Sequence, residues 1–491
     1  MRIHLIGVGG AAMGNLAAML KQDGHTITGS DQALYPPMSD RLIEWGIEAG
    51  EFDSKRIINN GKPQSDLFIV GNVISRGNVE VEEVLNHNLP LTSMSAALYQ
   101  FFLQGRRVQV IAGTHGKTTT AFLLHHILDQ AGLGPGLFVG GIRGDGHAGF
   151  SLPKSNFFVI EGDEYDTAFF DKGPKFLHYR PTDLVLTHVE YDHADIYEDF
   201  DHYKRSFELL LRWIPSNGNV AAFAGSSGVQ SVMNKLPAGC ISWYGPEGIA
   251  NGAMLAEKSQ NSRIVNRGYS TYRREAKRIF LSEIGNIEVP FIGEHNTANA
   301  LGAALIAQRL GVAETKILDA LSTFPGVLRR QQIRKKTIIV NQNSEPTEIV
   351  FIEDFAHHPT AVKLTYDAVK QAYPNSRIIG LFEPRSATSH RNTFQQDYLN
   401  SFTGFDQLFL TNIYNLEKVA ADQRLNVPLL VESLNQVGTE SHFSNSPKEL
   451  FEQLCAYLSS NKKVPTVILA MSNGSFVGVY PQIDKFLDQL K

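Results

Sequence analysis

The chain has 491 residues, 43% of them hydrophobic, enough for several cores and, at ordinary domain sizes, for roughly three domains, which excludes a small binding module. Its 45 Lys and Arg against 50 Asp and Glu leave a net charge of -5, and with only 19% charged residues there is no footprint for nucleic acid and no basic run for an anionic membrane surface. Cys240 and Cys455 lie far apart without Cys or His companions, which excludes a disulfide framework and a thiolate metal site and fits a reducing compartment.

The opening, MRIHLIGVGGAAMGNLAAML, places one Arg before an apolar run, but glycines at 7, 9, 10 and 14 punctuate it, so it reads as strand, loop and helix rather than as a signal peptide. No window reaches about 18 uninterrupted apolar residues, so no membrane span is expected and the protein is expected in the cytoplasm. IHLIGVG, HTITGSD and DLFIVGN then alternate with helix-period segments, the signature of a parallel sheet covered by helices. That series ends at Leu103, and the short polar QGRR puts a boundary near Arg106. A second series, RVQVIAGT, FFVIEGDE and DLVLTHV, consists of apolar runs ending in polar residues, where a parallel sheet presents its carboxyl edge. Short alternating stretches between about Ser242 and Phe291, such as KRIFLSEIG, predict an antiparallel meander, and helices from about Thr297 and Ala313 follow. After Arg329-Arg330, EIVFIEDFA, RIIGLFEPR, DQLFLTN and TVILAMSNG open a third series. The expected division is 1–106, 107–330 and 331–491, all α/β, with Rossmann-like first and third units.

The strongest local signal is Gly113-Thr114-His115-Gly116-Lys117-Thr118-Thr119, between an apolar strand and a helix, the context of a phosphate-binding loop. Glycines let backbone N–H groups point at phosphate oxygens, the helix start adds positive potential, Lys117 reaches the β and γ phosphates, and Thr118 can hold Mg2+. The ordinary spacing would put Gly where Ile111 stands, so a glycine turn with an incidental lysine is the plain alternative. Glu161-Gly162-Asp163-Glu164 and Asp192-His193-Ala194-Asp195 offer carboxylates and an imidazole at strand ends, suited to Mg2+ or to substrate, though either alone is an ordinary solvated feature. Gly7 to Gly14 follows the first strand as a loose pyrophosphate loop, and Asp31 stands where a dinucleotide domain keeps its ribose-binding acid. Taken alone, that unit reads equally as a nicotinamide dehydrogenase. A nucleotide-switched binding protein is a further alternative. Two phosphate loops in one chain favour ATP-driven chemistry on a nucleotide-linked substrate.

In collinear order GVGGAAMG, GSD, GTHGKTTT, EGDEYD, YDHAD, GEHNTANA, LRRQ, EDFAHHPT and EPRS resemble the Mur ligase family of peptidoglycan synthesis over nearly the whole chain. The resemblance implies a UDP-sugar unit, a central ATPase unit with a small antiparallel sheet, and a third unit that closes over ATP and brings the amine. It implies ATP and Mg2+ as cofactors, with Gly113, Thr114, His115, Gly116, Lys117, Thr118 and Thr119 on the phosphates and Thr118, Glu161 and His193 at the metal. Asn296 and Asn299 match the adenine contacts, Arg330 the arginine that steadies the γ-phosphate, and Asp354 the acid on the ribose. Gly7, Gly9, Gly10, Ser30 and Asp31 would meet the UDP portion, and His357 would face the reacting groups. Arg385, Ser386 and Arg391 would grip peptide carboxylates, a solvated surface arginine being the alternative. YPPMS, EYDTAFFDK, DFAHHPTA and the pair EPRS and MSNGSF resemble members that join UDP-N-acetylmuramate to L-alanyl-γ-D-glutamyl-meso-diaminopimelate. The alternative is the member that adds L-alanine.

Overall fold

The computed structural model describes residues 1–35, 38–249, 261–339, 346–461 and 464–490. The two prolines of YPPMS, residues 36–37, lie outside the described residues. The architecture is α/β, built on three large sheets.

The first sheet runs Glu48–Gly50, Thr26–Ser30, Arg2–Ile6, Leu67–Val70, Leu91–Ser93, all parallel. Helices cover both faces, so its strands are apolar on both sides. Ile3 and Leu5 pack with Leu16, Ala17 and Leu20 of the helix Ala11–Gln22, while Ile6, Phe68 and Val70 pack with Val81 and Val84 of Val79–Asn86. Order reverses on either side of Arg2–Ile6, which makes its carboxyl end, the Gly7 loop, the crevice of this sheet.

The central sheet has ten strands, in the order Phe150–Ser151, Gly136–Phe138, Phe157–Gly162, Arg107–Ala112, Asp183–Leu186, Asn219–Phe223, Gly239–Pro246, Ile264–Glu275, Arg278–Leu281, Gly285–Glu288. Phe150–Ser151 pairs antiparallel at one edge; at the other the last three strands form an antiparallel meander, which Ile264–Glu275 joins to the parallel part by pairing parallel with Gly239–Pro246. Three strands matter for function. Gly162, Ala112 and Leu186 sit side by side in register, so the loops after Phe157–Gly162, Arg107–Ala112 and Asp183–Leu186 leave the sheet together. At the amino end of Asp183–Leu186, the fully buried Asp183 ties its two neighbours Arg107–Ala112 and Asn219–Phe223, accepting from Arg107 Nε at 2.8 Å, Gln109 Nε2 at 3.1 Å and Asn219 Nδ2 at 2.7 Å.

The third sheet runs Gln332–Ile339, Thr347–Asp354, Thr466–Met471, Arg377–Phe382, Gln407–Thr411, Ser441–Ser444. All pairings are parallel except that of Gln332–Ile339, an antiparallel edge. The carboxyl ends of its strands carry the DFAHHPT, MSNGSF and EPRS loops.

Candidate active site

A cavity of about 350 Å³ lies between the central sheet's carboxyl edge and the loop after Thr347–Asp354. Thr114 to Thr119, Glu161, Asp163, Glu164, Asp192 and His193 line one side; Asn296, Asn299, Arg330, Asp354, His357 and His358 line the other.

The phosphate loop owes its shape to local geometry. Gly116 caps the helix Lys117–Gln130 with φ +81°, and a Cβ there would lie 2.6 Å from Asn299 Oδ1. Gly116→Ala is therefore expected to add about 1–2 kcal/mol of backbone strain and to push Asn299 aside. The expected result is a lower melting temperature together with ATP affinity weaker by on the order of tenfold. Thermal melting and nucleotide titration check both, and unchanged ATP affinity would contradict the assignment.

Lys117 Nζ donates to Gly113 O and Glu164 Oε2, both at 2.8 Å, and Thr118 Oγ1 donates to Glu161 Oε1 at 2.7 Å. Burial pulls the Lys117 ammonium down, but the carboxylates of Glu164, Asp163 and Glu161 outweigh it and hold it above its ordinary value. Burial works to raise Glu164, yet Lys117 and His193 hold it at about 2. Glu161 moves the other way, raised by burial and then by Asp163. His193 Nε2 stands 3.3 Å from Glu164 Oε1; against the pull of burial, Glu164 and Asp192 push the imidazole up to about 9.

These donors suit a hard divalent cation. Thr118, Glu161 and Glu164 supply oxygen, and the buried Glu164 Oε1 meets His193 Nε2 at 3.3 Å without good hydrogen-bond geometry. Binding of a cation there would expel the proton that His193 holds. Glu164, which the sequence reading placed only within the EGDE motif, is thus the hub of the cluster, joining Lys117 to His193.

Across the cavity, the adjacent arginines part company because Arg329 and Gln331 adopt left-handed φ of 63° and 50°. Arg329 donates to Glu353 Oε1 at 2.9 Å and to the carbonyls of Ser472 and Gly474, an anchor for the chain between the second and third sheets. Arg330 turns into the cavity, 4.5 Å over the Phe355 ring, with Thr118 Oγ1 at 3.5 Å. Gln331, missed although it follows Arg330 in LRRQ, donates from its backbone to Asp354 Oδ2 at 2.7 Å and accepts from Asn296 Nδ2 at 3.0 Å. It thereby links two residues assigned from sequence to the nucleoside. Asn296 and Asn299 are not helix caps: the helix Glu294–Arg309 is capped by Gly293. His357 and His358 both line the cavity, although neighbours on a strand face opposite ways, because the strand has ended at Asp354.

Three sequence-assigned groups lie away from this cavity. Gly7, Gly9 and Gly10 border the first sheet's own crevice, where Asp31 Oδ2 accepts from Gly9 N at 2.7 Å. A carboxylate therefore already occupies the loop N–H. The Ser30 assignment needs correction: its side chain is fully buried and donates to Glu80 Oε2 beside His4, so only its carbonyl serves the loop, accepting from Gly7 N and Val8 N. The strand's alternation turns residue 30 inward, which the GSD motif alone does not reveal. Arg385, Ser386 and Arg391 form a separate turn after Arg377–Phe382.

Two family models match the chain: the Mur ligase family catalytic domain over residues 2–106 and the Mur ligase middle domain over residues 111–307. The chain belongs to the Mur ligase family, which sets aside the dehydrogenase reading of the first unit. It is similar to the UDP-N-acetylmuramate--L-alanyl-gamma-D-glutamyl-meso-2,6-diaminoheptandioate ligase of Escherichia coli, with 34% identity over 496 residues, covering 100% of this chain and 98% of the relative. It is 30% identical over 480 residues to a UDP-N-acetylmuramate--L-alanine ligase of Clostridium acetobutylicum, covering 96% of this chain and 95% of the relative. Among solved structures, a murein peptide ligase from Psychrobacter arcticus superposes with a TM-score of 0.70 at 28% identity, covering 99% of this chain and 98% of that one.

Proposed function

We propose that this protein joins the lactoyl carboxylate of UDP-N-acetylmuramate to the amine of L-alanyl-γ-D-glutamyl-meso-diaminopimelate, cleaving ATP to ADP and phosphate, in cytoplasmic peptidoglycan recycling. Residues 1–106 hold the UDP-sugar, 107–330 the ATP, and 331–491 the amine substrate. The carboxylate attacks the γ-phosphorus, giving an acyl phosphate that the peptide amine then opens. Two anions must meet for the first step, so Lys117, Arg330 and the loop N–H groups offset their repulsion and align them. Thr118, Glu161 and His193, with Glu164, would hold Mg2+, which when bound supplies further neutralisation of the transferring phosphoryl group.

One observation carries the choice of amine. On one turn, Arg391 Nε is buried without a hydrogen-bond acceptor, and Arg385 Nη1, also without a hydrogen bond, stands 3.6 Å from Glu383 Oε2. Two guanidinium groups on one turn, one of them with a buried N–H left unbonded, suit a peptide bearing several carboxylates better than alanine, which bears one. The same direction is supported by greater identity to tripeptide ligases than to alanine ligases. With Mg-ATP and UDP-N-acetylmuramate, phosphate release and a product of the expected mass are predicted with the tripeptide and not with L-alanine. The reverse result would make the protein an alanine-adding ligase.

A further inference from the structure

Three successive residues of the central unit accept hydrogen bonds from the third. Glu190 Oε2 accepts from Thr360 Oγ1 at 2.7 Å, Tyr191 O from His358 Nε2 at 3.2 Å, and Asp192 Oδ1 from Thr388 Oγ1. The first two bonds come from the start of the helix Pro359–Ala372, one to a side chain and one to the backbone. The third is different, because its two ends lie in two parts of the proposed chemistry.

At one end, Asp192 is buried and its Oδ1 also accepts from His193 N at 2.7 Å. His193 has φ +52°, a conformation that a non-glycine residue keeps only where its surroundings hold it. Asp192 is one of those surroundings, and His193 in turn faces Glu164. At the other end, Thr388 belongs to the turn that carries Arg385 and Arg391. That turn is bonded to itself: Ser389 Oγ accepts from Arg385 N and Ser386 N, each at 2.9 Å, and Arg391 N donates to Thr388 O at 3.2 Å. The turn is thus cross-linked within itself, and the Thr388 hydroxyl joins it to Asp192.

We propose that Thr388 is a positioning residue that couples the amine site to the metal site: when peptide carboxylates seat the 385–391 turn, Thr388 holds Asp192, and through it His193, in the arrangement that takes the divalent cation. This rests on the function proposed above. Its thermodynamic form is reciprocal, so the amine substrate tightens cation binding and the cation tightens amine binding by the same factor.

The test is a Mn2+ titration followed by electron paramagnetic resonance, with the full chain, a non-hydrolysable ATP analogue and UDP-N-acetylmuramate, with and without tripeptide. In the parent protein the tripeptide is expected to tighten Mn2+ by about fivefold or more. Thr388→Ser, which keeps the hydroxyl, should retain that effect. Thr388→Val, which keeps the shape, should lose it while binding Mn2+ and showing the parent's melting temperature. Equal tightening in Thr388→Val, no tightening in the parent, or failure of Thr388→Ser to retain it would each overturn the proposal. Failure of the functional reading leaves a different record, namely phosphate release with L-alanine alone. The titration is then read with L-alanine, and the same three outcomes decide the role of Thr388.

Discussion

Lys117→Ala is expected to lower ADP formation by roughly 10³-fold while leaving UDP-N-acetylmuramate binding intact. Lys117 reaches from the first helical residue back to Gly113 O, which places its ammonium over the loop where phosphates sit, and it is the direct partner of the fully buried Glu164. Removing it takes away positive charge at the transferring group and also leaves Glu164 with His193 as its remaining ionic partner. The sugar loop at Gly7 to Gly10 follows a strand of another sheet and does not itself line this cavity, which the first unit reaches only with Ala12 and Met94, so its affinity is expected to hold. A coupled ADP assay and calorimetric titration with the UDP-sugar separate the two effects. Near-normal turnover would remove Lys117 from the chemistry, and lost sugar binding would mean that the variant's damage is general.

Much of this arrangement was readable from sequence because parallel strands covered on both faces are written as unbroken apolar runs. In RVQVIAGT, FFVIEGDE and DLVLTHV the apolar run gives way to polar residues, and Thr114, Glu164 and His188 from these ends line the cavity. The edge strand Gln332–Ile339 was not readable: it is paired on one side only, much of it is exposed, and Lys335 and Lys336 break the apolar run, as suits an edge that must not recruit another strand. In the catalytic motifs, residue types were legible and directions were not. GSD does not say that Ser30 faces Glu80, and HHPT does not say that the strand stops in time for both histidines to face the cavity. The bond from Thr388 to Asp192 joins residues 196 apart, a contact that neither motif contains.

The parting of the two arginines has the sharpest consequence. Among the described residues no carboxylate pairs with Arg330 within 4.0 Å; burial lowers its affinity for its proton, and Asp354 and Glu161 act on it only from a distance. A half-buried cation without a bonded counter-ion is costly to the resting fold unless the ligand is the counter-ion. Arg330→Ala is therefore expected to lower the maximal rate of phosphate release on the order of 10²–10³-fold, without lowering the melting temperature of the ligand-free protein. Arg330→Lys should recover little, because a compact ammonium replaces neither the stacking on Phe355 nor the fork that can bridge Thr118 and a phosphoryl oxygen. The neighbouring Arg329, satisfied by Glu353 and two carbonyls, is the internal contrast: its loss should cost stability first. If Arg330→Ala instead melted early and kept its rate, Arg330 would be an anchor of the fold like its neighbour, and the γ-phosphate would have to find its neutralising charge elsewhere.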